Sequence, residues 1–121
     1  MDMKDALATF DALSQETRLR VFRRLIQAGS DGMAAGELAE TLGVRQNTLS
    51  NNLLVLLNAG VVRNRREGRS IRYFTDMEGL RGLLSFLLQD CCGGQAELCA
   101  PLIDSIARNC EITDHDRPSQ S

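Results

Sequence analysis

Apolar positions recur along this chain at two different periods. Met3, Leu7 and Phe10 are spaced as on one face of a helix. Leu19, Phe22, Leu25 and Ile26 form a second helical stripe, with Ser14 ahead of it as the expected N-cap and Gly29 as its stop. Ser30-Asp31-Gly32 reads as a turn. Two further helical stretches follow, Ala34 to Leu42 and about Gln46 to Ala59, divided by Gly43 and closed by Gly60. The longer one is two-faced: Leu49, Leu53, Leu56 and Leu57 point one way, and Gln46, Asn47, Ser50, Asn51 and Asn58 the other. A short helix, a glycine turn and a longer helix form the outline of a helix-turn-helix.

After Gly60 the period changes from 3.6 to 2. Val61-Val62 leads into an arginine-rich strand, the turn Glu67-Gly68, and a second strand from Arg69 to Phe74. A hairpin in this place is a wing, so the expected fold is mainly α with a β-hairpin wing, a winged helix-turn-helix. Asp76 can cap a last helix whose Leu80, Leu83, Leu84, Leu87 and Leu88 fall at i, i+3, i+4, i+7 and i+8. Such a face either completes the core or meets a second copy. A homodimer is expected, because the first helix is apolar too and a small domain has few faces left to cover it. The expected interface is Leu7, Phe10, Leu80, Leu83, Leu84 and Leu87. Pro101 opens another short helix bearing Leu102, Ile103 and Ile106, and from Thr113 the chain is polar enough to expect disorder. The expected division is residues 1–92 for DNA binding and dimerisation, 93–112 for effector binding, and 113–121 as tail.

Composition sharpens this outline. The chain has 121 residues, enough for one domain and one core. No apolar run approaches the length of a membrane span, and the N-terminus lacks the basic start and apolar block of a signal peptide, so a cytoplasmic protein with no membrane partner is expected. The net charge of −2 argues against nucleic acid until its distribution is read. From Val44 to Tyr73 lie Arg45, Arg63, Arg65, Arg66, Arg69 and Arg72 with only Glu67 against them, so that segment is +5 and the remainder −7. A basic segment on an acidic body is the asymmetry of a DNA binder. Gln46, Asn47, Thr48, Ser50 and Asn51 are the candidate base-reading residues, near the start of the second helix of the motif. Arg45, Arg65, Arg66, Arg69 and Arg72 are candidates for phosphate, guanine or the minor groove.

The four cysteines pose a separate question. Cys91, Cys92 and Cys99 lie within nine residues, and Cys110 follows. A reducing compartment points to metal binding or redox sensing rather than a disulfide frame. Three thiolates can hold trivalent arsenic or antimony as a trigonal pyramid; four would suit Zn²⁺ or Cd²⁺, although the spacing is not the CxxC of structural zinc. Cys110 is balanced between a small buried residue and an additional ligand. Thiol catalysis is not expected, since Asp90 and Glu97 stand nearby and the only histidine, His115, lies in the tail.

From about Ala6 to Cys99 the chain resembles the ArsR/SmtB family of bacterial metal-sensing repressors. The resemblance rests on Leu13 to Val21, Gly36 to Val44, Gln46 to Leu53, Leu56 to Val62 and Arg66 to Arg69 together. It implies a homodimeric winged helix that represses an operon when empty and leaves its operator when an ion binds. The family usually carries a histidine where this chain has Asn52. The cysteine motif that well-known arsenic sensors bear on the first helix of the helix-turn-helix is absent from Met33 to Ala39, and the Asp and His pairs of zinc sensors are absent from the last helix. What remains resembles the arsenic repressors with an adjacent cysteine pair and a third cysteine just beyond the last helix, a pattern onto which Cys91, Cys92 and Cys99 fall.

The expected protein is therefore a repressor, not an enzyme, that needs no cofactor to bind double-stranded operator DNA and is released by As(III), and also Sb(III), at Cys91, Cys92 and Cys99. One ion per subunit is expected, with a site shared across the dimer as the alternative arrangement. Two rivals keep the fold: a methylarsenite sensor needing two thiolates, and a thiol redox switch. A structural zinc module is the rival outside sensing.

Overall fold

Asp2 starts the first helix, α1 (Met3–Leu13), by accepting a hydrogen bond from the Asp5 backbone N–H at 2.8 Å, while the Asp5 carboxylate accepts the Asp2 N–H in return. The computed structural model describes residues 1–88 and 100–107. α1 buries Ala6, Thr9 and Ala12, not the larger stripe the periodicity singled out; Met3, Leu7 and Phe10 are exposed. The small face lets the helix approach its neighbours closely, and the Thr9 hydroxyl donates to Asp5 O at 3.0 Å and to Ala59 O at 3.4 Å.

α2 (Glu16–Ala28) is capped by Gln15, whose side-chain oxygen accepts from Arg18 N at 2.8 Å. Ser14, expected in that role, instead ends α1: its N–H and its hydroxyl both reach Asp11 O. α2 buries Val21, Phe22 and Leu25 and leaves Leu19 and Ile26 exposed, so the inward stripe is rotated from the one expected. A single 3₁₀ turn, Gly29–Asp31, leads to a two-residue strand, β1 (Met33–Ala34), that the sequence reading did not anticipate. Gly32 is required there. It has φ +61°, and a Cβ would meet the Tyr73 carbonyl and the Phe74 ring at 2.5–2.6 Å.

α3 (Ala35–Leu42), the left-handed Gly43 and α4 (Gln46–Ala59) form the helix-turn-helix within the expected bounds. Gly60 closes α4, and the hairpin follows as β2 (Val62–Glu67) and β3 (Ser70–Thr75), turning at Gly68. The antiparallel sheet has order β1-β3-β2. Val21, Phe22, Leu25, Leu38, Leu49, Leu53, Leu56 and Val61 make the centre of the core.

α5 (Met77–Leu88) begins where the hairpin returns to α4. Asp76 N–H donates to Val61 O at 2.8 Å, and the Asp76 carboxylate caps the helix by accepting from Glu78 N and Gly79 N, each at 3.1 Å. Leu83 is buried and Leu80 packs partly against the core, while Leu84 and Leu87 are exposed. By its contacts the chain divides into two units; Met1–Phe86 is the first, and the helix over residues 100–107 lies in the second, with Leu102, Ile103 and Ile106 exposed. Among the described residues, no helix is long and apolar enough to cross a membrane.

Gly79 rests directly on the end of α4. A Cβ at Gly79 would run into the Gly60 carbonyl oxygen, whereas one at Gly82 would meet only the Met1 side chain, at 3.6 Å. Gly79→Ala should therefore lower stability by roughly 2 kcal/mol or more, overpacking outweighing helix propensity. Gly82→Ala should hold or raise stability by up to about 1 kcal/mol. Urea unfolding of the two variants checks this, and equal behaviour would refute the contact.

Candidate nucleic-acid interface

α4 is buried on one side only. Leu49, Asn52, Leu53 and Leu56 face inward, and Gln46, Asn47, Thr48, Ser50, Asn51 and Asn58 are exposed. Four of the five candidate base readers (Gln46, Asn47, Ser50 and Asn51) thus share the outward face at i, i+1, i+4 and i+5, with Thr48 exposed in the first turn. Their amides and hydroxyls supply donors and acceptors of the type that pair with base edges. Arg45 occupies the N-cap position, exposed and making no side-chain cap bond. Within the first turn only the Thr48 N–H is taken by a side chain, donating to Asn47 Oδ1 at 2.9 Å. The positive end of the helix is open to an anion. Leu54 and Val55 are also exposed on this helix, a pair the inward-facing leucine pattern did not reveal.

Asn52 is not on the exposed face. It is 8% exposed, and its Oδ1 accepts from Arg18 Nη1 at 3.3 Å. The sequence carried no signal for that pairing, because the two residues are 34 positions apart.

The wing arginines fall into two groups. Arg65 and Arg72 are directly opposite in the β2–β3 register, a like-charge pair that would repel. Glu67 joins them: its carboxylate accepts from Arg65 Nε at 3.1 Å and from Arg72 Nε at 3.3 Å. Arg65 also stacks on the Phe74 ring at 4.9 Å, beside Arg63 at 4.6 Å. Arg72 is the most committed. Its Nη1 donates to Asp31 O at 3.0 Å and Gly32 O at 3.2 Å, and its Nη2 lies 3.7 Å from Glu37, so it ties the wing to the turn before β1 and to α3. Arg66 and Arg69 are exposed and make no hydrogen bond or ion pair among the described residues. Cys91, Cys92, Cys99 and Cys110, the candidate ligands, lie outside the described residues.

The hydrogen bond from Arg65, with its charge and that of Arg72, holds the Glu67 carboxyl below its ordinary value of 4.5. Folding lowers this pKa, so the clamp's contribution is present above the ordinary carboxylate range and is lost as pH falls through the lowered value. A side-chain NMR titration should give Glu67 a midpoint below 4.5. In Arg65→Gln the midpoint should move back toward that value, and a midpoint at or above it in the unaltered chain would remove the clamp.

A helix-turn-helix domain family model matches residues 13–65. A Halobacterium salinarum protein named "Putative arsenical resistance operon repressor ArsR2" is 38% identical over 87 residues, covering 69% of this chain and 71% of that one. Among solved structures, an ArsR-like transcriptional regulator from Rhodococcus superposes with TM-score 0.65 at 28% identity, covering 86% of this chain and 93% of that one. The homodimeric winged helix-turn-helix domain of a Mycobacterium bovis protein, described as a possible ArsR-family regulator, gives 0.60 at 27% identity over 70% of this chain and 76% of that one. Fold and these likenesses agree: the chain belongs to the ArsR family of helix-turn-helix transcriptional regulators.

Proposed function

We propose that this chain is a homodimeric operator-binding repressor, released from DNA when trivalent arsenic, and also antimony, binds Cys91, Cys92 and Cys99. The observation that carries the DNA part is the open, polar N-terminal face of α4 (Gln46, Asn47, Thr48, Ser50, Asn51) together with the unpaired Arg66 and Arg69 of the wing. The amides and hydroxyls read bases in the major groove, and Arg45, Arg66 and Arg69 contact phosphates. Arg65 serves the same anion while held by Glu67, and Arg72 is assigned to holding the wing in place. Dimerisation is supported by the large apolar side chains that one chain leaves uncovered, Leu7 and Phe10 on α1 and Leu84 on α5, with Leu87 one turn further along. Leu83 is already buried within one chain, and Leu80 packs partly against its core.

The effector assignment rests on the thiol cluster in the sequence and on likeness to a protein named "Putative arsenical resistance operon repressor ArsR2". Three cysteine thiols condense with one arsenous acid; three As–S bonds replace three As–OH bonds and three waters leave. In the proposed division, residues 93–112 form the effector segment behind the 1–92 domain, and residues 113–121 are its tail. Cys110 is a spare thiol that the trigonal site does not need. Release requires a coupling free energy of only about 1–3 kcal/mol between ion and operator.

Fluorescence anisotropy of an operator duplex, titrated with As(III), methylarsenite, Sb(III), Cd²⁺ and Zn²⁺, tests the effector. As(III) and Sb(III) should release the unaltered protein, and Cys99→Ser should abolish that response. Release of Cys99→Ser by methylarsenite alone would show that two thiolates are the sensor for the methylated form; release by none of the five would refute the metalloid reading. Arg66→Gln/Arg69→Gln should weaken binding to all duplexes and flatten the slope of log K against log salt by about 1.8, two phosphate contacts' worth. An unchanged slope would exclude the wing from the DNA contact.

A further inference from the structure

The half-buried guanidinium of Arg18, on α2, joins the end of α1 to α4. Its Nε donates to Ala12 O at 2.6 Å and its Nη2 to Asp11 O at 3.5 Å. Both acceptors are last-turn carbonyls of α1, at the negative end of its dipole, and Asp11 O also accepts from the Ser14 N–H and hydroxyl. Its Nη1 donates to Asn52 Oδ1 at 3.3 Å, on the buried side of α4. No carboxylate lies within ion-pair distance of Arg18 among the described residues.

We propose that Arg18, carried on α2, is the positioning residue of the reading helix: through Asn52 it fixes the rotation of α4 about its own axis relative to α2 and α1. The inference rests on α4 being the helix that reads DNA. The rest of α4's inward face is Leu49, Leu53 and Leu56. Aliphatic packing is non-directional and holds the helix in place without setting its phase sharply. A hydrogen bond is directional. The magnitude matters here: a rotation of about 20° moves a side-chain tip, some 5–6 Å from the axis, by roughly 2 Å. A base-edge hydrogen bond tolerates only a few tenths of an ångström. Small slippage therefore leaves phosphate attraction intact and destroys base reading. Because α1 carries the exposed apolar face assigned to the dimer, the same clamp sets the two reading helices against each other.

The rival is that Arg18 only caps α1. Three variants separate the two roles. Arg18→Lys keeps the charge at the end of α1 but has no planar fork to span both helices. Asn52→Leu removes the acceptor on α4 and leaves the α1 cap untouched. Asn52→Asp keeps the acceptor. The readout is affinity for a duplex selected from a random library by the unaltered protein, divided by affinity for a shuffled duplex of the same length, with the salt slope of each. Arg18→Lys and Asn52→Leu should each lower that ratio roughly tenfold, the scale of one lost base contact, at unchanged shuffled-duplex affinity and salt slope. Asn52→Asp should keep the ratio, and the double variant Arg18→Lys/Asn52→Leu should lose no more than either single one. A lowered unfolding temperature with an unchanged ratio in Asn52→Leu would overturn the positioning role, as would additive losses in the double variant. An unaltered protein that binds selected and shuffled duplexes alike would overturn the DNA-reading assignment itself.

Discussion

α4 has to bury one face completely while keeping its first two turns polar and open. Leu49, Leu53 and Leu56 are wholly withdrawn from solvent, each contributing about 2 kcal/mol of burial. The surrounding elements answer to that face. α2 supplies Val21, Phe22 and Leu25, and α3 supplies Leu38. α1 lays its small face on α4, with Thr9 bonded to Ala59 O, and Arg18 of α2 bonds both the end of α1 and Asn52. α5 docks where α4 ends, with Gly79 against Gly60 and Asp76 bonded to Val61. The buried side is apolar except for Asn52, and the exposed side carries the amides and hydroxyls, so one helix divides packing and polar chemistry between its two faces.

Charge is divided with similar economy. A chain of net charge −2 attracts DNA only if its positive charge is local, because fields from the acidic remainder are screened beyond about 8 Å in physiological salt. The wing uses its single acid, Glu67, to bind Arg65 and Arg72 where they would otherwise repel. Arg72 then holds the hairpin to the rest of the domain. Arg66 and Arg69, on the far strand face and at the turn, carry charge free of such duties. Equal residues in the sequence thus serve unequal ends, shape for some and exposed charge for others.

Local chemistry made much of this legible in advance. Gly43 and Gly60 bounded α4, the change of period to 2 marked the hairpin, and Asp76 announced α5. Where the reading erred, two local signals competed. Ser14 and Gln15 can both accept a backbone N–H, and Ser14 was drawn to the end of α1 by Asp11 O. β1 has two residues, too few to show any period, and exists because β3 offers it a partner. The outward-facing amides of α4 were legible from the spacing of its leucines. The pairing of Asn52 with Arg18 was not, since nothing in a sequence announces a hydrogen bond across 34 positions.

By itself, the sequence determined the kinds of element, their order, the basic stretch from Arg45 to Arg72 and the soft thiol chemistry of Cys91, Cys92 and Cys99. These follow from nearest-neighbour properties: period, caps, turn residues and side-chain type. Only the tertiary structure decided which face of α1 and of α2 turns inward. In α1 the smaller face won, because Ala6, Thr9 and Ala12 allow close approach to α4 and Leu7 and Phe10 would hold the helices apart. In the wing it decided which arginines are occupied, because register sets Arg65 against Arg72 and brings Arg72 to Asp31 and Gly32. Periodicity says that a face exists; the shape and charge of the neighbour decide what that face does.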